Sequence, residues 1–351
     1  MFRLFSGFFS SDIGIDLGTV NVVVYVKGKG IVVNEPSVIA VRKSVRGSRK
    51  EILAVGRQAK AMVGKTPAGI ETVKPLREGV ISDFDMTEAM ISYFVKAANE
   101  RRGFFSRPRV VVSVPACVTE VERRAVVDAT LSAGAREAYV VEEPLAAALG
   151  ASLPIDEPRG NMVVDIGGGT CEVAVLSMGG IVVSKSIRGA GDEIDSAIVA
   201  MMRVNHKLAI GEATAEQIKW ELGSVVPLEE ERKMEVKGRD LTNGLPRSVT
   251  LSSVQIREAI EPIIQKIEDT VRETLEETPP ELVKDIYEQG LVLAGGGAQL
   301  RGLDQRLSQE LNVPVFVAED PLLAVSNGLA KVLNDLDSKR PALSTVERGS
   351  L

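Results

Sequence analysis

Cysteine and histidine are almost absent from this chain. Its two cysteines, Cys117 and Cys171, sit in apolar or glycine-rich contexts. They read as buried thiols of a reducing compartment rather than a disulfide framework. The single histidine, His206, has no cysteine or second histidine around it. That argues against a histidine-based metal site and against a Ser-His-Asp triad. No apolar run approaches the roughly 20 residues of a membrane span, and no signal-peptide core with a cleavage site opens the chain. A net charge of −6 argues against nucleic acid as a partner. Aromatics make up only 4% of the residues, and they are unevenly placed: four of the nine Phe fall in the first nine positions.

What is present is a chain of 351 residues, 44% hydrophobic and 26% charged. That length suits two domains or one bilobed fold with a substantial core. At about 100° per residue, Met1, Phe2, Leu4, Phe5, Phe8 and Phe9 fall within an arc of roughly 160°. Arg3, Ser6, Gly7, Ser10 and Ser11 take the other side. The segment reads either as an amphipathic helix lying in a membrane surface or as a terminal helix packed on its own domain. A second stretch, "RRGFFSRPR", sets Phe104 and Phe105 among Arg101, Arg102, Arg107 and Arg109. An apolar loop tip ringed by cations suits an anionic lipid surface; a pair tucked back into the core is the other reading.

Strands and helices alternate along the chain. "RVVVSVP" reads as a buried strand and "EVERRAVVDATLSAGA" as a helix. "EIDSAIVAMMRVNHKLAI" and "TAEQIKWELGSVV" read as helices, and "KMEVKGRDLTNGLPRSVTLS" as a polar-faced β-ribbon. "SVQIREAIEPIIQKIEDTVRETLEE" reads as a long helix stopped by Pro279 and Pro280. The tail after Asp335 is polar and is expected to fray. One plan occurs twice, in "IDLGTVNVVVYVKGKGIVV" and "VDIGGGTCEVAVLSMGGIVV": apolar strand, Asp, glycine turn, apolar strand, then Ile-Val-Val. Two copies of one unit predict two similar α/β lobes with a ligand cleft between them.

The chemistry gathers at the two turns, "DLGTVN" (residues 16–21) and "DIGGGT" (residues 165–170). Glycine lets backbone N–H groups approach phosphate oxygens, and Thr and Asn add donors. An Asp at each strand end can hold a hydrated Mg²⁺. Neither turn matches G-x-G-x-x-G leading into a helix or G-x-x-x-x-G-K-[ST], which removes dinucleotide-binding and P-loop readings. A third cluster, Gly295–Gly297 in "LAGGGAQLRG", offers bare backbone to a base or ribose, or makes a tight strand–helix turn.

These motifs, with "VERRAV", "EEPLAAALG" and "EDPLLAVSNGLAKVL", follow the order of the actin/Hsp70/sugar-kinase superfamily, and residues 12–335 resemble its bacterial actins. The resemblance implies an actin-like ATPase fold: two duplicated lobes, each a mixed sheet with helices, around a nucleotide cleft. Lobe I would comprise residues 12–150 and 325–337, with a small subdomain near 34–68. Lobe II would comprise residues 151–324, with a small subdomain near 188–250. Residues 1–11 would be a membrane anchor and 338–351 a flexible tail.

The resemblance also implies ATP or ADP with Mg²⁺ as ligands. Asp16, Gly18, Thr19, Val20 and Asn21 would form the first phosphate loop. Asp165, Gly167, Gly168, Gly169 and Thr170 would form the second, with Asp16 and Asp165 holding Mg²⁺ through water. Glu216 and Lys219 would hold ribose and adenine, and Gly295, Gly296 and Gly297 would line the adenosine pocket. Glu122 would orient the attacking water, assisted by Thr170. Phe2, Leu4, Phe5, Phe8, Phe9, Phe104 and Phe105 would meet the membrane. Val20, Cys171, Cys117, Ala294 and Trp220 depart from the usual pattern without removing a presumed ligand.

The function so implied is a slow ATPase. It would polymerise with itself, as paired antiparallel filaments, on the inner face of the cytoplasmic membrane. There it would organise cell-wall elongation and set rod shape with partners such as RodZ. A sugar-type kinase or a chaperone-like ATPase of the same superfamily is the alternative. No inserted sugar-binding region and no following peptide-binding domain is visible for either.

Overall fold

Runs of β-branched residues set the strands, and isoleucines at helical spacing set the longest helix. The computed structural model describes residues 12–43, 50–99, 107–336 and 344–347. The opening segment 1–11 and the Phe104–Phe105 pair, read above as membrane contacts, lie outside the described residues. The chain divides into two compact units: Met1–Leu153 with Leu323–Leu351, and Pro154–Leu322.

The first unit is built on a six-stranded sheet. Its spatial order is Ser344–Glu347, Glu137–Glu142, Arg109–Val114, Ile13–Leu17, Asn21–Val26 and Gly30–Pro36. Ile13–Leu17, Arg109–Val114 and Glu137–Glu142 run parallel. Their carboxyl ends, Leu17, Val114 and Glu142, therefore lie at one end of the sheet, where ligands of open α/β sheets bind. Val110, Val111 and Val112 have no exposed surface, as expected of a parallel strand buried on both faces. Helices Phe84–Asn99, Glu120–Ser132, Glu143–Gly150 and Ala324–Asn334 pack on this sheet. Ile39–Arg42 forms a small second sheet between Glu51–Val55 and Ile70–Val73.

The second unit is built on a five-stranded sheet of order Gly180–Arg188, Thr170–Ser177, Asn161–Ile166, Leu291–Ala294 and Val315–Val317. The repeated sequence plan becomes a repeated structure. Each unit opens on a three-strand antiparallel meander, each with a register shift in its second strand, at Val24/Tyr25 and at Val175/Leu176. In each, the first strand then takes a parallel partner. The ribbon Lys233–Asp240 and Pro246–Ser252 forms a smaller sheet with Leu208–Ala209.

Helix Ser253–Glu277 starts at a capping box between Ser252 and Gln255. It buries Ile256, Ile260, Ile263, Ile264, Ile267 and Val271, one stripe of an amphipathic helix. Each such side chain contributes about 1.5–3 kcal/mol on burial.

Three expectations are corrected. The helix read through Ile210 stops at Asn205, because Lys207 takes φ 53° and Leu208–Ala209 pairs as a strand with Arg239 and Asp240. Cys117, expected to be buried, is exposed. Its apolar neighbours belong to the surface loop that carries the chain from Val114 to the helix at Glu120. The tail, expected to fray, contains the strand Ser344–Glu347, antiparallel to Glu137–Val140. A backbone ladder needs no run of apolar residues, so the polarity of the tail was a poor guide.

Candidate functional site

In the first unit, Ile13–Leu17 delivers Asp16 and then the turn at Gly18. A Cβ on Gly18 would stand 2.7 Å from the Asn21 carbonyl oxygen, so only glycine fits. The turn's carbonyls face inward. The Ser37 hydroxyl donates to the Gly18 oxygen, and the Ser37 N–H to the Val20 oxygen at 2.8 Å. The Thr19 hydroxyl accepts from the Gly79 N–H at 3.1 Å. Among the described residues, the Thr19 and Val20 amides donate to no protein acceptor. Adjacent unspent amides at a turn make an anion-binding concavity.

The Asp16 Oδ1 accepts from the Ser113 hydroxyl at 3.1 Å. Burial pushes the Asp16 carboxyl up to about 6, and the Ser113 hydrogen bond pulls only partly against it. Glu122 lines a small cavity with Leu17, Gly79, Ser113 and Pro115. Its carboxylate closes the capping box of helix Glu120–Ser132, accepting from the Thr119 N–H at 2.7 Å and the Thr119 hydroxyl at 2.8 Å.

The sequence reading missed a second carboxylate. Glu143 is the buried first residue of helix Glu143–Gly150, directly after the carboxyl end of Glu137–Glu142. Its neighbour Glu142 pairs with Arg123 at 3.2 Å. The visible signal was "EEP" at a strand–helix junction, a place where the helix N-terminus favours an anion.

In the second unit, the turn Gly167–Gly169 gives all three carbonyls to the start of helix Gly191–Asn205. The Gly189 N–H donates to the Gly169 oxygen at 2.8 Å, Asp192 to Gly168 at 2.8 Å, and Gly191 to Gly167 at 3.2 Å. Among the described residues, the Gly168 and Gly169 amides donate to no protein acceptor. Thr170 and Asp165 are buried beside the turn. Burial and the neighbouring Asp165 and Glu172 charges push the Cys171 thiol far above its ordinary range, so it stays protonated.

Lys219, on helix Glu212–Leu222, reaches this cluster. Its Nζ donates to the Gly191 oxygen at 3.0 Å and lies 2.9 Å from the Asp195 Oδ1. Asp195 was also missed; "GDEID" reads as an ordinary acidic helix start. Burial holds its carboxyl above the usual range, against the pull of Lys219. Glu216 stands one turn before Lys219 on the same helix and adds its charge to the field at Asp195.

The three glycines of the third cluster differ. Gly295 has φ 76°, and its Cβ would stand 2.4 Å from the Ile166 oxygen and 2.5 Å from the Asp165 Oδ1. A Cβ on Gly297 would stand 2.2 Å from the Ile166 Cγ2. Both serve packing on the strand that carries Asp165. Gly296 has more room: its Cβ would meet only Leu322 Cδ2, at 3.2 Å. Its Cβ position is the least crowded of the three.

The donor set tests the fit of Mg²⁺. Among the described residues, no group of three or more His, Cys, Asp or Glu side chains could cage a metal ion. Asp16 and Asp165 each close a strand beside unspent amides, and burial leaves Asp16 short of a compensating positive charge. A lone carboxylate of this kind suits an ion that keeps most of its waters.

Residues 10–341 match the family model described as MreB/Mbl protein. The cell shape-determining protein MreB of Escherichia coli (strain K12) is 51% identical over 337 residues, covering 96% of this chain and 97% of that one. MreB5 of Spiroplasma citri bound to ADP superposes with a TM-score of 0.88 at 38% identity, covering 95% of this chain and 98% of that one. The same protein bound to AMPPNP gives 0.87 at 37% identity, with the same coverage. A chain of the MamK double helical filament, 22% identical, shares the fold at a TM-score of 0.78 over 93% of this chain and 99% of that one. The actin-like fold, the duplicated glycine turns and these similarities agree: this chain belongs to the MreB/Mbl family.

Proposed function

We propose that this chain is an ATP-binding, slowly ATP-hydrolysing bacterial actin that assembles into filaments on the inner membrane face and organises cell-wall elongation. The observation that carries the nucleotide reading is the pair of glycine turns whose carbonyls are spent on protein and whose tip amides are not. MreB5, similar over nearly the whole chain, was crystallised with ADP and with AMPPNP. In this reading Thr19, Val20, Gly168 and Gly169 present backbone amides to phosphate. Asn21 and Thr170 add side-chain donors, Lys219 and Glu216 meet the ribose and base, and bare Gly296 backbone lies against the adenosine. Asp16 and Asp165 would hold Mg²⁺ through water, and the ion would supply charge neutralisation at the phosphates.

Hydrolysis needs a carboxylate that orients water and accepts its proton. Glu122 is one candidate, and its carboxylate closes a helix cap. Glu143, buried at the carboxyl end of a parallel strand, is the better placed. Positioning rather than covalent chemistry carries such a reaction.

The filament reading draws on the MamK filament, which shares the fold, and on the cell-shape role in the name of the Escherichia coli relative. Phe2, Leu4, Phe5, Phe8, Phe9, Phe104 and Phe105 anchor each subunit weakly, and a filament displaying many copies binds strongly. Wall-elongation proteins such as RodZ are the expected partners.

Two measurements test this. Protein pelleting with ATP–Mg²⁺ and not without nucleotide, with phosphate release, is the expected result; a chain that binds no ATP refutes the reading. Anionic liposomes should float the full chain and lose it when residues 1–11 are deleted. Equal flotation of both transfers the anchoring to Phe104 and Phe105.

A further inference from the structure

An exposed sheet edge offers unpaired backbone groups to other chains, and proteins guard it with bulges, shortness, charge or proline. Three of the four edges of the two large sheets carry such guards. Val315–Val317 is only three residues long. Gly180–Arg188 carries Lys185 and faces a register shift at Val175/Leu176. Gly30–Pro36 ends in Asn34, Glu35 and Pro36 and faces the shift at Val24/Tyr25.

The fourth edge is the tail strand Ser344–Glu347, and the strand beneath it, Glu137–Glu142, carries none of these. It holds no Pro, Gly or Lys, and it pairs with Arg109–Val114 through six consecutive positions without a shift. Its middle, Ala138–Val141, is at most 2% exposed. Its two charges are neutralised at home. Glu137 accepts from the Tyr139 hydroxyl and from Arg136 at 3.0 Å, and Glu142 pairs with Arg123. What covers this edge is the chain's own tail, in the register Glu137↔Glu347, Ala138↔Val346, Tyr139↔Thr345 and Val140↔Ser344.

We propose that residues 344–347 are a removable strap over a strand-acceptor site, and that the segment this edge takes when the strap is withdrawn is the tail of a second copy of this chain. Recognition would rest on backbone hydrogen bonds, with side chains supplying register. The tail strand is four residues long. So short a ladder can open and exchange while the rest of the unit stays folded. With the strap in place the edge cannot pair with another subunit. With it cut or displaced, two copies can be joined tail to edge.

The test uses a fluorescent peptide of residues 337–351 and three proteins: the full chain, a chain ending at Leu336, and the full chain carrying Thr345→Pro and Val346→Pro. The double proline removes ladder donors whichever of the two faces the partner strand. The shortened chain and the proline variant should bind the peptide saturably, at least about 10-fold more tightly than the full chain, whose attached tail competes at high effective concentration. A peptide carrying the same two prolines should not bind. Equal binding by all three proteins, binding of the proline peptide, or no binding to a shortened chain with a native circular dichroism spectrum each overturns the proposal. So does failure of both altered chains to fold, which would make the tail part of the core rather than a strap.

Discussion

The Asp16 carboxylate rests on the Ser113 hydroxyl at 3.1 Å, at the end of a buried strand, with burial pushing its carboxyl up to about 6. Folding thus raises the proton affinity of this group. The folded state holds the proton over a pH range in which the unfolded chain releases it, so this residue lowers stability as pH rises from about 4 to about 6. Asp16→Asn removes that penalty and keeps an oxygen for Ser113. In buffer free of nucleotide and Mg²⁺, the variant should be more stable than the parent by about 1–3 kcal/mol at pH 7.5. The gain should disappear below about pH 4. Thermal melts across pH read it; a gain independent of pH refutes the assignment. The same variant should lose Mg²⁺-dependent nucleotide binding.

Helices Glu143–Gly150 and Ala324–Asn334 cross in backbone contact. A Cβ on Gly150 would stand 1.7 Å from the Ala324 oxygen, and one on Gly328 1.8 Å from the Ala146 oxygen. Neither position has a flexible side chain to move aside. Gly150→Ala and Gly328→Ala should each cost about 3 kcal/mol or more, at or beyond the upper end of ordinary overpacking. Gly69→Ala meets nothing within 4 Å and should fall within about 0.5 kcal/mol of the parent. Denaturant midpoints compare the three directly.

Much of this architecture is legible in the sequence, because local pattern and tertiary demand agree there. The isoleucine stripe of Ser253–Glu277, the valines of Arg109–Val114 and the two Asp-glycine turns all announce their elements. What stayed hidden depends on partners distant in sequence. Ser344–Glu347 is a strand because Glu137–Val140 lacks a neighbour on that side, which the tail's own residues do not encode. Cys117 has apolar neighbours and lies in a surface loop, so context along the chain misjudged it. Asp195 becomes part of the candidate site only when Lys219 reaches it from another helix.

Glu122 and Glu143 separate by their hydrogen-bonding roles. Glu122 closes the capping box at Thr119, and Glu143 is buried where a parallel strand ends. Glu143→Gln should slow ATP hydrolysis about 100-fold or more, within the range of a general base, with nucleotide still bound. Glu122→Gln should change the rate less than about 10-fold and cost no more than about 1 kcal/mol of stability, because Gln still closes the capping box and only the charge at the helix start is lost. Single-turnover phosphate release with binding measured in parallel distinguishes them. The reverse ranking would return the water-orienting role to Glu122.

Lys219 and Asp195 form a largely buried pair, with side-chain exposures of 17% and 14% and a separation of 2.9 Å. Their burial makes the pair costly to break from one side. Lys219→Met leaves Asp195 in a place where burial already disfavours its charge, and should cost about 3 kcal/mol at pH 7.5. The loss should shrink on acidification, because the uncompensated carboxyl takes up a proton. Asp195→Asn alone should cost less, and the double variant should recover most of the loss, a coupling of about 1–3 kcal/mol in a double-mutant cycle. Nucleotide affinity should follow a different order. Both variants lacking Lys219 should bind ATP weakly, while Asp195→Asn, which frees the ammonium, should bind it at least as well as the parent. If the double variant regains affinity along with stability, Lys219 holds the helix start at Gly191 and does not touch the nucleotide.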